Sequence, residues 1–237
     1  MRLVTWNCNM RFRHKISEII NLSTQLAIIP ECENIDKLKE SQHFSKICDS
    51  IWIGDNPNKG IGIFSFSTIR LVIASWYNPK FKYIIPIYAK DKNNSYLLFA
   101  IWACNPSKSK FKYIEQVYQA MKHYSKHLDF ENILAIGDFN SNTIWDKKHS
   151  KYGSHSMVVN FLKQKNIISC YHSFYNEEHG QETTPTLYMY RHITKPYHVD
   201  YCFISENLYD KMLNIEVGKS GRYLEHSDHM PIIIDFE

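Results

Sequence analysis

Short runs of β-branched and aromatic residues recur along the whole chain, among them "RLVTWNC", "LAIIPEC", "DSIWIG", "GIGIFSF", "IRLVIAS", "YIIPIYA", "YLLFAIWAC", "NILAIGDF", "ISCYHSF", "HVDYCFIS", "LNIEVG" and "PIIIDF". Many are apolar at consecutive positions rather than at every second one. A strand with one wet face alternates, so unbroken runs predict strands covered on both faces. Helical spacing appears between some of them. Ile114, Val117, Tyr118, Met121 and Leu128 share one face of "YIEQVYQAMKHYSKHL", and "HKISEIINLSTQ" and "SMVVNFLKQKN" predict shorter helices, the second capped by Ser154 or Ser156. No repeat, low-complexity segment or long linker interrupts the pattern, and Asn93-Asn94 is a turn signal rather than a boundary. The expectation is one α/β domain over residues 1–237, with two packed sheets and outer helices.

Composition narrows this picture only a little. At 237 residues, 44% hydrophobic and 22% charged, the chain can bury a sizeable core. A net charge of +4 does not by itself announce a nucleic-acid binder, although a mildly positive surface helps approach to a polyanion. The six cysteines form no C-x-x-C pair and mostly sit in apolar runs, which predicts buried, reduced thiols. The chain starts on a strand-like run, with no signal-type or membrane-spanning stretch, so a cytoplasmic protein without membrane attachment is expected.

The chemistry lies at the ends of the apolar runs. Asn7 follows "LVTW", Glu31 and Glu33 end "LAIIPECE", Asp138 and Asn140 end "ILAIGDFN", Asp200 lies in "HVDYCFIS", and Asp228 and His229 precede "MPIII". Taken singly, each has an ordinary explanation: a turn after a strand for Asn7, a solvated loop for the glutamates, an Asx turn for Asp138 and Asn140. Together they put acids, amides and an imidazole on several core strands. Buried charge is costly unless it is paired, hydrogen-bonded or metal-bound, so one shared site is expected.

The ordered set "WNCN", "PECE", "GDFNSN", "HVDYCFIS" and "SDHMPI", spanning almost the entire chain, resembles the endonuclease/exonuclease/phosphatase superfamily of DNase I-like metal-dependent phosphoesterases. The resemblance implies a four-layer α/β sandwich of two packed mixed β-sheets flanked by helices. It implies Glu31 as the main ligand of a divalent cation, with Asn7 and Asp228 nearby as further ligands or water-mediated contacts. Hard oxygen donors favour Mg²⁺ or Mn²⁺. Asp138 is then the base for the attacking water, Asn140 a donor to phosphate, and His229 a phosphate contact held by Asp200. Two departures stand out. Pro30 takes the place of the usual Gln before the glutamate, and Trp102 stands where members present His or Tyr. An indole donates one hydrogen bond and transfers no proton.

The substrate is less legible. Basic and aromatic residues interleave in "MRFRHK" (10–15), "SKSKFKY" (107–113) and "YRHITKPYH" (190–198), a composition that suits a nucleic-acid strand. The last segment, next to Asp200, is expected to line the cleft, with Trp102, Arg191 and His198 touching substrate. The other histidines read as surface or packing residues. A monomeric nuclease acting on DNA or RNA is the leading expectation. A phosphatase or phosphodiesterase for an inositol phosphate or sphingomyelin comes second, and a phosphate-binding module without turnover third.

Overall fold

The computed structural model describes residues 1–105, 110–146 and 151–237. Its strands are β1 (Arg2–Thr5), β2 (Leu26–Cys32), β3 (Asp49–Asn56), β4 (Lys59–Ser65), β5 (Arg70–Ile73), β6 (Ile84–Lys90), β7 (Ser95–Trp102), β8 (Ile133–Asp138), β9 (Ile167–Ser169), β10 (Leu187–Tyr188), β11 (Pro196–Tyr197), β12 (Asp200–Ser205), β13 (Met212–Val217) and β14 (Ile232–Phe236). They form two six-stranded mixed sheets, ordered β13-β14-β1-β2-β4-β3 and β5-β6-β7-β8-β12-β9, with β10 and β11 as a small separate pair.

The two sheets stack face to face. Leu3, Ile28, Ile63 and Ile234 of the first meet Ile87, Leu98, Ile136 and Ile204 of the second in one apolar layer. The alternate residues face outward and are also covered. Val4, Ala27 and Ile29 pack under Ile16 and Ile19 of the helix Ile16–Asn21. Phe99, Ile101 and Ala135 pack under Val117 and Met121 of the helix Ile114–His123 and Val158 and Leu162 of the helix His155–Lys163. Consecutive apolar residues are thus required because both faces of each central strand are dry. Ser154 caps the third helix, its hydroxyl accepting from the Met157 amide at 3.3 Å. Among the described residues, no helix is long and apolar enough to cross a membrane.

One expected strand is mostly something else. In "ISCYHSF" only Ile168 and Ser169 belong to a strand, the end of Ile167–Ser169, and from Cys170 the chain enters the helix Cys170–Tyr175. Its aromatics favour a strand locally, but Cys170 and Tyr171 become core residues on a helical turn. Tertiary packing overrides the local preference.

Candidate active site

β8 and β12 are antiparallel neighbours, and their register sets Asp200 directly opposite Asp138. Both carboxylates are buried. Like charges face to face destabilise a strand pair, so other groups must compensate, and three do. Asn7, at the end of β1 in the facing sheet, donates from Nδ2 to Asp138 Oδ2 at 3.0 Å. The Asn140 amide donates to Asp138 Oδ1 at 2.8 Å, with Asn140 itself in the left-handed region at φ 48°. His229 donates from Nδ1 to Asp200 Oδ2 at 2.9 Å. The Asx turn that the "DFN" motif would make on its own is present, and it aims the carboxylate inward.

These contacts set the charges. Burial and the neighbouring Asp200 push the Asp138 carboxyl up to about 7, against the opposing pull of His229 and the Asn7 hydrogen bond. Burial alone would lower His229, but the Asp200 charge and hydrogen bond outweigh it and lift the imidazole well above its usual value. With Nδ1 engaged by Asp200, Nε2 is the nitrogen left to meet a ligand.

His229 is placed from three directions. Its amide donates to Ser227 Oγ at 3.0 Å, and that hydroxyl donates to the Asn7 carbonyl at 2.7 Å. Its own carbonyl accepts from the Trp6 indole at 2.8 Å. The "HSDHM" segment is therefore tied to the end of β1 rather than solvated. Thr186 Oγ1 accepts from the amides of Val199 and Asp200 at 2.9 and 3.0 Å, fixing the start of β12.

Glu31 arrives by a different device. Between Pro30 and Cys32 the β2–β4 register shifts, and Glu31 sits in that bulge at φ 59°. Its carboxylate meets the Lys59 ammonium at 3.1 Å. Asn9 links the remaining oxygen donors, its amide on Asn7 Oδ1 at 3.0 Å and its Nδ2 on Asp228 Oδ1 at 3.1 Å. Asn9 thus ties Asn7 to Asp228, while Glu31, in the bulge of β2 beside parallel β1, offers another hard oxygen donor at the same end of the first sheet. Hard oxygen donors of this kind are chemically suited to a divalent cation. The ligand atoms of Asp138, Asp200 and His229 also lie within 4.8 Å of one another, but the hydrogen bonds just described already account for that approach.

Beside Glu31 and Asn140 opens a cleft of about 1110 Å³, lined by Lys59, Lys80, Lys82 and Lys110 and by Phe81, Tyr83, Trp102, Phe111 and Tyr113. Trp102 lies against Tyr83, ring centroids 4.8 Å apart, with the Lys59 ammonium 5.5 Å from its own ring.

The basic segments of the sequence distribute differently from expectation. Lys110, Phe111 and Tyr113 of "SKSKFKY" reach the cleft, while residues 107–109 lie outside those described. In "MRFRHK", Phe12 is core, Arg13 pairs with Glu33 at 2.6 Å, and buried Lys15 donates to the carbonyls of Cys8, Met10 and His226. Glu33 is therefore a structural partner. The segment 190–198 flanks Asp228 rather than supplying this cleft's cations. Arg191 donates to the carbonyls of Glu225 and His226 at 3.1 and 3.3 Å, and just ahead of the segment the Tyr188 amide donates to the Asp228 carbonyl at 2.8 Å. His198 departs furthest. It is 3% exposed, donates from Nδ1 to the Thr184 carbonyl at 2.7 Å, and packs on Tyr171 and Tyr201 instead of facing the open cleft.

Lys59 and Asn9 escaped sequence reasoning, and Lys15 reads from sequence only as part of the basic stretch 10–15. Lys59 lies just past the Asn56–Asn58 turn that joins β3 to β4, a position that reads as solvated until β4 pairs beside the Glu31 bulge.

The same architecture occurs in solved structures. An AP endonuclease from Archaeoglobus fulgidus aligns with TM-score 0.73 over 100% of this chain and 99% of its own, at 15% identity. The 3'-5' exonuclease NExo from Neisseria meningitidis aligns at 0.73 over 100% of both chains, at 18% identity. The endonuclease domain of TRAS1, a telomere-specific non-LTR retrotransposon, aligns at 0.68 over 100% and 98%, at 15% identity. The chain has the DNase I-like fold. No protein-family model and no curated protein matches the sequence. The DNase I-like sandwich is the four-layer architecture the motif order implied, and its two sheets meet at the polar cluster just described.

Proposed function

We propose that the chain is a divalent-cation-dependent phosphodiesterase of nuclease type that hydrolyses DNA, with RNA as the alternative polymer. One observation carries this reading. A buried carboxylate, Asp138, is held by two amides beside an Asp200–His229 pair, with Glu31 at the same end of the sandwich. The solved structures of this fold named above are an AP endonuclease, an exonuclease and an endonuclease domain, which supports the same chemistry.

In this reading Asp138 orients and deprotonates the attacking water, and a carboxyl displaced toward 7 is matched to that task near neutral pH. The Asn140 side chain donates to a phosphate oxygen whose negative charge grows in the transition state. His229 presents Nε2 to the phosphate, and Asp200 keeps the ring protonated and oriented. Glu31, Asn7 and Asp228 hold Mg²⁺ or Mn²⁺. When bound, such an ion polarises a phosphoryl oxygen and stabilises charge on the leaving oxygen. Trp102 offers a ring face and an N–H but no transferable proton, so of these two residues His229 is the one that can move one. Four lysines and five aromatic rings along the cleft suit a strand whose phosphates meet ammonium groups and whose bases stack.

The direct test is a substrate panel of single- and double-stranded DNA, RNA, inositol phosphates and sphingomyelin. It is run with Mg²⁺ or Mn²⁺, then with chelator, then with the ion restored. Cleavage of nucleic acid that vanishes with chelator and returns on re-addition is the expected result. Intact nucleic acids alongside a hydrolysed inositol phosphate or sphingomyelin would transfer the activity to the small-molecule class.

Lys59 and the ion compete for the Glu31 carboxylate. A half-exposed ion pair is worth up to about 1 kcal/mol. Lys59→Ala is therefore expected to lower the Mg²⁺ concentration giving half-maximal activity by about twofold to fivefold, read from a metal titration of cleavage rate. An unchanged or higher requirement would show that the ammonium does not occupy the ion's carboxylate.

A further inference from the structure

Lys15 is a buried cation without an anion. It is 9% exposed, and among the described residues its ammonium enters no ion pair. Such a charge is costly unless hydrogen bonds replace its water. Three do so. Nζ donates to the carbonyls of Cys8, Met10 and His226 at 2.5, 3.0 and 2.6 Å, which uses all three of its protons. The core fixes where this ammonium stands. Lys15 joins the 3₁₀ turn Phe12–His14 to the helix Ile16–Asn21, and Phe12 and Ile16 on either side are fully buried.

The backbone that Lys15 holds is the second observation. Asn9, Met10 and Arg11 have φ of 50°, 63° and 54°, three successive left-handed residues with no glycine among them. Asn enters this region with some ease, Met and Arg rarely, and L-residues do so singly rather than in runs. A conformation of this kind persists only where its surroundings over-determine it. Side-chain packing is not the cause at Met10 and Arg11, since both are exposed. Lys15 instead grips the carbonyl just before the run, at Cys8, and the one at its centre, at Met10.

The run carries a link of the candidate active site. Asn9 bonds Asn7 Oδ1 through its amide and Asp228 Oδ1 through Nδ2. The third carbonyl under Lys15 belongs to His226, two residues before Asp228. β1 and β14 pair over Arg2–Thr5 and Ile232–Asp235, so residues 7–10 and 226–229 lie beyond the ladder and need other ties. We propose that Lys15 is a positioning residue. Its ammonium cross-links these two segments, keeps residues 9–11 left-handed, and so sets Asn7 and Asp228 in the arrangement that receives the divalent cation. The inference rests on the reading of Asn7 and Asp228 as cation ligands.

Charge alone predicts the opposite of this role. A fixed ammonium repels an incoming cation, so removing it with the geometry intact would tighten binding. A lysine that only stabilised the fold would leave binding by the folded protein unchanged. The sign of the change separates the three cases.

The test is Mn²⁺ binding, read by electron paramagnetic resonance of the free ion, with cleavage kinetics at saturating Mn²⁺. It uses the full chain as parent, Lys15→Met, Met10→Gly and the two combined. Lys15→Met is expected to bind Mn²⁺ about 10–100-fold more weakly and to lose a similar factor in kcat, the range for groups that orient a metal's ligands. Met10→Gly alone should stay within about twofold of the parent, because glycine adopts φ > 0 without strain. For the same reason the combined variant should regain at least about threefold in affinity over Lys15→Met. Unchanged or tighter binding in Lys15→Met would overturn the proposal, and so would a combined variant no better than Lys15→Met. Should Lys15→Met fail to fold, Met10→Val decides. Met10 is 40% exposed, so the core is untouched, and a β-branched residue that resists φ > 0 should weaken Mn²⁺ by at least about threefold. Full affinity in Met10→Val would then overturn the proposal. A parent with this Mn²⁺ pattern that cleaves no nucleic acid would sink the nuclease reading alone, whereas a parent that binds no Mn²⁺ would sink both.

Discussion

Asp138→Asn is expected to cut phosphodiester turnover by about a thousandfold while leaving the protein folded. In the proposed mechanism the substitution removes a positioned base, whose contribution is about 10²–10⁴ in rate. The retained fold follows from the same carboxylate's surroundings. It is buried opposite Asp200, and both effects disfavour its charge. A neutral amide of equal size removes that repulsion, although its NH2 replaces one of the two oxygens that accept from Asn7 and the Asn140 amide, which offsets part of the gain. The pH dependence has a definite sign. The folded carboxyl titrates near 7 and an unstrained one near 3.8, so between those values the folded chain binds more protons than the unfolded one. Native stability therefore falls as pH rises through that window. Asp138→Asn lacks this loss, so its melting temperature relative to the parent should climb from about pH 4 to about pH 7 and then level off. Scanning calorimetry at several pH values, in chelator, reads it directly. A relative melting temperature that declines over the window would mean the ionised carboxylate is stabilised in place, and the assignment of Asp138 as a base poised near neutrality would fail.

The second large effect is structural. Gly137→Ala is expected to destabilise the fold by about 4 kcal/mol or more, the range reserved for backbone clashes at special conformations. Gly137 has φ 145°, which side-chain-bearing residues rarely adopt, and an added Cβ would stand 1.9 Å from the Ile101 carbonyl oxygen. Ile101 is its parallel partner on β7, and the next pair in register is Trp102 with Asp138. Relieving the clash would mean separating two central strands at the point where they deliver the site. Urea denaturation provides the measurement. Gly221→Ala serves as a control, since among the described residues no atom beyond its chain neighbours and its own helix backbone lies within 4 Å of its added Cβ. Equal midpoints for the two variants would falsify the close approach.

How much of this was legible beforehand can be followed residue by residue. The dry central strands could be read because Leu3 with Val4, and Leu98 with Phe99, face different layers and must both be apolar. Asn7, Asp138, Asp200 and His229 could be named because each ends, begins or precedes such a strand, and strand ends meet at the rim of a sandwich. Lys59 could not, since its relation to Glu31 exists only once β4 pairs beside the β2 bulge. Arg13 and Lys15 looked like free surface cations, yet each is held by acceptors from elsewhere in the chain. His198 shows the same limit most sharply. Its place two residues before Asp200 pointed to the cleft, and the packing of the helix Cys170–Tyr175 put it among other histidines instead.

The sequence by itself determined the kind of layers the chain builds and which polar side chains their edges present. Both depend on local period and on the cost of burying charge, and neither needs the partner strands to be known. Only the tertiary structure decided which ammonium meets Glu31, how Asp138 and Asp200 come to face each other with one imidazole between neighbours, and that distant histidines share a buried pocket. Those relations depend on strand register and on how helices lie over the sheets. Register and docking are set by the summed packing of the core, which no short stretch of residues encodes alone.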